Sequence, residues 1–126
     1  MSKYIDGFVL VVPKDKTQEY TKMASEGRDM WMKHGALEYY ECKGDDLEPK
    51  ETGGMKPLAF TALAKANADE TVWFSFIVFE SKQHRGEVNK KVMDEMNEKY
   101  KDAKDLSMPF DMQRMAYGGF SVEVEG

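Results

Sequence analysis

At 126 residues and 14.5 kDa the chain has the length of one domain with one core. Its 41% hydrophobic and 33% charged residues exclude a disordered chain, and no apolar run approaches the ~20 residues of a membrane span. The formal charge is −5, and lysines interleave with acids, as in Lys90-Lys91 before Asp94-Glu95. That surface lacks the basic stripe of a nucleic-acid binder, so neither nucleic acid nor membrane is expected among its partners. Cys42 stands alone, which rules out an internal disulfide and points to a reducing cytoplasm. The first residues enter a strand pattern directly, so no signal peptide is expected.

Residues 4 to 12 read as a strand, apolar on both alternating faces through Phe8-Val9-Leu10-Val11-Val12. Pro13 and Lys14 stop it, and Asp15 with Gln18 predicts a capping-box-like helix start. Tyr20, Met23, Ala24, Gly27, Trp31 and His34 then recur at helical spacing, predicting a helix over about 15–34 with Gly35 at the C′ position. A second strand is expected over 37–43 around Tyr39-Tyr40. A long polar insertion follows at about 45–69, in which residues 60–66 fit either an extended piece or a helical turn. Residues 71–80 form the clearest strand, Ser81 caps a helix over about 82–100, and 114–123 is a last strand. Gly118-Gly119 within it signals a bulge or a close backbone approach.

The order β-α-β-β-α-β predicts a single α+β domain over 1–126: a ferredoxin-like βαββαβ antiparallel sheet with two helices on one face. Two helices cover only that face, yet the first and third strands are apolar on both. A second copy is the simplest cover, so a homodimer is expected.

With these elements placed, the chain resembles a family. The stretches that carry the likeness are Tyr4-Ile5-Asp6-Gly7-Phe8, His34-Gly35-Ala36-Leu37-Glu38-Tyr39, Gly44-Asp45-Asp46 and Glu70-Thr71-Val72-Trp73-Phe74-Ser75. Ser81, His84-Arg85, Val88-Asn89-Lys90-Lys91-Val92-Met93, Met108-Pro109-Phe110-Asp111, Arg114-Met115 and Tyr117-Gly118-Gly119-Phe120 complete it. The sequence is similar to the bacterial domain-of-unknown-function family 1428, in the dimeric α+β barrel superfamily. The resemblance implies the fold and the dimer, and it implies no reaction. The wider superfamily holds small monooxygenases, isomerases, dechlorinating enzymes and ligand-binding modules, a likeness of fold alone.

The topology brings chemistry-bearing residues together. In a βαββαβ sheet the first helix ends at the rim where the second begins, so His34 should share a rim with His84 and Arg85. Glu38 and Glu80 fall there too. These make His34, His84 and Arg85 the catalytic candidates, for proton transfer or for holding an anion. The bland readings are a histidine stabilised by its helix dipole, and Arg85 neutralised by Glu80 or Glu87. Tyr40, Trp73, Arg114 and Tyr117 are ligand-binding candidates, with core or interface packing as their alternative; Arg114 beside Asp111 and Asp15 also reads as a structural ion pair. Ten methionines suit an adaptable apolar pocket. No phosphate loop, Rossmann fingerprint, zinc motif or nucleophile elbow occurs, so neither cofactor nor metal is expected. The expected function is binding of a small organic molecule between helices and sheet, with cofactor-independent acid–base chemistry of monooxygenase-like or isomerase-like type. The alternative is a non-catalytic ligand- or partner-binding module.

Overall fold

The computed structural model describes residues 2–103 and 107–126. Four strands, β1 (Tyr4–Pro13), β2 (Glu38–Lys43), β3 (Glu70–Phe79) and β4 (Ala116–Ser121), form one antiparallel sheet in the order β2-β3-β1-β4. Two long helices, α1 (Thr17–Lys33) and α3 (Lys82–Lys99), pack on one face; a single turn, α2 (Phe60–Leu63), lies within the 45–69 insertion.

Strand alternation assigns the two faces. Asp6, Phe8, Leu10 and Val12 of β1 share the helix-covered face with Trp73, Ser75, Ile77 and Phe79 of β3. One core cluster joins Met30, Ala36, Ile77, Phe79, Val88 and Val92; the other joins Leu10, Val12, Tyr20, Ala24 and Trp73. Val88 and Val92, four apart on α3, meet the sheet as the helical period requires.

The ends of the helices follow local chemistry, with one exception. Ser81 Oγ accepts from the His84 backbone N–H at 3.1 Å and starts α3 as expected. Gly35, at φ 112°, closes α1: its N–H donates to Met32 O, and that of Ala36 to Trp31 O, at 3.2 and 3.0 Å. That pair of bonds is the Schellman ending, which needs a left-handed residue at C′. The capping box at Asp15 does not form. Lys14–Lys16 wind instead into a 3₁₀ turn, α1 begins at Thr17, and no side chain caps it. Gly118 and Gly119 make no bulge, since β4 pairs in unbroken register with Gly7 and Asp6. The close approach is by a side chain, not by backbone, and only at Gly119, where a Cβ would fall 2.5 Å from Tyr4 Oη.

Candidate functional site

The space between α1 and the sheet is hollow. A cavity of about 240 Å³ opens there, walled by Phe8 and Ile77 of the sheet, Tyr20 and Trp31 of α1, Met96 of α3 and Phe110 before β4. Residues of both core clusters line it. Five methionines contribute to its lining, and flexible thioethers of this kind let a wall adjust to what it holds.

A cluster of polar groups centred on Glu41 stands in this largely apolar wall. Alternation along β2 turns Tyr39 and Glu41 inward, opposite Ile77 and Ser75. Glu41 Oε1 accepts from Tyr20 Oη at 2.8 Å and from Ser75 Oγ, and Oε2 accepts from Tyr39 Oη at 2.7 Å. Burial, and then the charge of Glu41, push the Tyr20 and Tyr39 hydroxyls well above the usual phenol range, so both stay neutral donors. The backbone of α1 makes room for this cluster at Gly27, where a Cβ would lie 3.0 Å from Tyr39 Oη. Sequence reading passed over Glu41. Its signal was an acid at i+2 from an inward-facing tyrosine, in a strand read only for its aromatic content.

Of the rim candidates, His84 comes up against the end of α1, and each of His34, His84 and Arg85 takes a structural partner. A Cβ on Gly35 would fall 3.5 Å from His84 Nε2, which sets the imidazole against the end of α1 beside His34. His34 Nε2 lies 2.9 Å from Glu95 Oε1, which also accepts from Lys33 at 2.8 Å. Lys33 first, then His34, hold the Glu95 carboxyl below its ordinary range. His84 Nδ1 accepts from the Glu80 backbone N–H at 3.0 Å and its ring packs edge-on to Phe79. Arg85 is neutralised neither by Glu80 nor by Glu87. Its Nε donates to both oxygens of Asp6, its Nη2 pairs with Asp6 Oδ1 at 2.9 Å, and Nη2 donates to Tyr117 Oη at 2.9 Å. Asp6 is 1% exposed and takes a further bond from Asn89 at 3.3 Å, whose Oδ1 accepts from Trp31 Nε1 at 2.9 Å. None of His34, His84 and Arg85 lines the cavity.

The other candidates scatter. Tyr117 stacks on Phe8 at 4.9 Å between ring centroids and supports Arg85. Trp73 is core, edge-on to Tyr20 at 4.7 Å, and its Nε1 has no acceptor among the described residues. Tyr40 borders the cavity from β2, but its ring lies against Phe76 and its hydroxyl donates to Glu38 at 3.2 Å. Arg114 pairs with neither Asp111 nor Asp15. It grips Glu70 through Nη1 at 2.6 Å and Nη2 at 3.0 Å, and donates to Lys65 O at 2.8 Å, while Asp111 caps the 3₁₀ turn Met112–Arg114. Arg114 holds the Glu70 carboxyl down to about 2. Among the described residues no group of three His, Cys, Asp or Glu side chains could hold a metal ion, and no helix is long and apolar enough to cross a membrane.

A family model described as "Protein of unknown function (DUF1428)" matches residues 3–112, which span Asp6, Glu41, Ser75 and Arg85. The chain belongs to the DUF1428 family. The cavity wall and the Asp6–Arg85 pair thus fall mostly inside the DUF1428 match, and β4 lies beyond it. Two relatives called "Uncharacterized protein YbaA", from Escherichia coli strain K12 and Shigella flexneri, are each 39% identical over 118 residues, covering 94% of both chains. Among solved structures, the de novo designed protein Foldit4 aligns with 98% of this chain and 99% of its own at 8% identity. Its TM-score of 0.39 is too low to carry an argument.

Proposed function

We propose that this DUF1428 chain is a homodimeric, ferredoxin-like α+β barrel protein that binds a small organic molecule between α1 and the sheet. The observation that carries the reading is the cavity of about 240 Å³ with Glu41 in its wall. A packed domain leaves few voids larger than a water molecule, and a dry apolar void of ~150 Å³ already accepts a benzene-sized guest. Strand order β2-β3-β1-β4 and two helices on one face support the ferredoxin-like assignment. The apolar second face of the sheet supports the dimer.

The reading is of a binding protein. His34, His84 and Arg85 are engaged by Glu95, Glu80 and Asp6 and stand off the cavity, which favours structural roles for them. Acid–base chemistry on a bound molecule would run through Glu41, the carboxylate that faces it. The test is titration of ¹⁵N-labelled protein with toluene and indole. Saturable shifts confined to the amides of α1, β2 and β3, and lost in Ala24→Leu, are the expected result, because Ala24 lines the cavity. Absence of saturable binding, or shifts on the outer sheet face that survive Ala24→Leu, would overturn it.

A further inference from the structure

The lining of the cavity carries a sign. Among the described residues, its two charged lining groups, Glu26 at the exposed edge and Glu41 within, are both acidic. No Lys, Arg or His makes an ion pair with Glu41 among the described residues, although Arg28 and Lys43 border the adjoining hollow that Glu41 also lines; its direct partners are three neutral hydroxyls. A carboxylate offers about four lone-pair sites. Two on Oε1 are taken by Tyr20 and Ser75 and one on Oε2 by Tyr39, which leaves Oε2 able to accept one more hydrogen bond. The cavity that Glu41 borders is lined by the rings of Phe8, Tyr20, Trp31, Tyr39, Tyr100 and Phe110. Aromatic walls with carboxylates, and with no cation among the described lining residues, are the chemistry that holds an ammonium group, by ring faces and by charge together. An anion would meet repulsion from both acids. A neutral hydroxyl would supply one hydrogen bond and leave the charge unmatched.

We infer that the cavity takes a small protonated or methylated amine carrying one apolar ring or a branched chain of that size, its ammonium directed to Glu41 Oε2. This rests on the cavity being a binding site and names the class of molecule bound there. The volume limits the body to about one ring, since larger drug-sized ligands use pockets of ~300–1,000 Å³.

The test is calorimetric or NMR titration at pH 7 with a matched set: benzylamine, benzyltrimethylammonium and benzyl alcohol. Benzylamine should bind the wild type at least about tenfold more tightly than benzyl alcohol, as a charge-assisted bond in an apolar wall requires. In Glu41→Gln, shown folded by its circular dichroism and melting, the preference should fall to within about twofold. Glu26→Gln, at the exposed edge, should weaken the preference less, and it keeps the comparison open should Glu41→Gln fail to fold. Equal affinities of amine and alcohol for the wild type would overturn the amine assignment while leaving a binding cavity. Failure of all three compounds to saturate the site would remove the cavity reading and this inference with it.

Discussion

Arg85, in the first turn of α3, holds the carboxylate of Asp6 on β1 through Nε at 3.0 and 3.1 Å and Nη2 at 2.9 Å. Arginine near a helix N-terminus opposes the helix dipole, and the buried acid explains its presence there. Asp6 sits on the helix-covered face of a central strand, where an unpaired carboxylate would be costly. Arg85 and Asn89, four apart on α3, satisfy it together.

Loss of one partner should therefore cost more than loss of both. Arg85→Met strands the Asp6 charge, and breaking such a pair typically costs about 3–5 kcal/mol. Replacing both, as Asp6→Leu with Arg85→Met, should recover most of that loss. Urea unfolding of the wild type, both single variants and the double variant measures it. Strict additivity would contradict the pairing.

Glu70 and Arg114 join the start of β3 to the turn before β4, and they set an acid-sensitive contact. The Glu70 carboxyl falls from 4.5 to about 2 in the fold, chiefly through its hydrogen bonds from Arg114. A depressed folded pKa favours the ionised form, so the contribution is fully present above about pH 4.5 and is lost as pH falls through about 2. Arg114→Met should melt lower than wild type above pH 4.5, with the two curves converging toward pH 2. A melting difference that holds constant across that window would leave the pair without a role in acid stability.

Gly27 faces Tyr39 Oη across 3.0 Å, measured from the position a Cβ would take. Glycine inside a helix normally costs about 1 kcal/mol relative to alanine, so Gly27→Ala gains helix propensity. The Tyr39 hydroxyl cannot yield freely, being held by Glu41 at 2.7 Å. Gly27→Ala alone should destabilise. In a Tyr39→Phe background, with the hydroxyl gone, the same change should stabilise by up to about 1 kcal/mol. An identical effect in both backgrounds would show that Gly27 is not there for Tyr39.

Periodicity made the elements legible, because burial on one face leaves a repeat in the residues themselves. Val88 and Val92 mark the buried face of α3; Ser81 and Gly35 mark ends whose chemistry is local. Asp15 misled, since proximity to an apolar period could not show that a 3₁₀ turn would use up the first residues. Topology brought His34 and His84 to one rim, but the partners that occupy them, Glu95 and the backbone of Glu80, depend on side-chain reach. The cavity was the least legible feature. It is a gap among Met23, Met30, Met96 and their neighbours, and methionine fills or leaves such gaps with equal ease. Glu41 and Asp6 were within reach: each is an acid on the inward register of a strand.

The outer face of the sheet gives the last prediction. Phe74 and Phe120 are 46% and 62% exposed there, with Tyr40 packed beside Phe76. Beside them runs the 45–69 insertion, with Leu47 and Phe60 next to Val72. Its Met55, Leu58 and Leu63 remain 74%, 70% and 58% exposed. Fully burying one such side chain contributes about 1.5–3 kcal/mol, so a face-to-face pair with the insertion lying across the partner would gain from both. Light scattering at micromolar concentration should give about twice 14.5 kDa. Phe74→Lys with Phe120→Lys should halve that mass, because like charges on both faces cannot be buried unpaired. Limited proteolysis should then cut 45–69 faster in the variant than in the wild type. A wild type that scatters as one chain would remove the dimer, and equal cleavage in both proteins would separate the insertion from the interface.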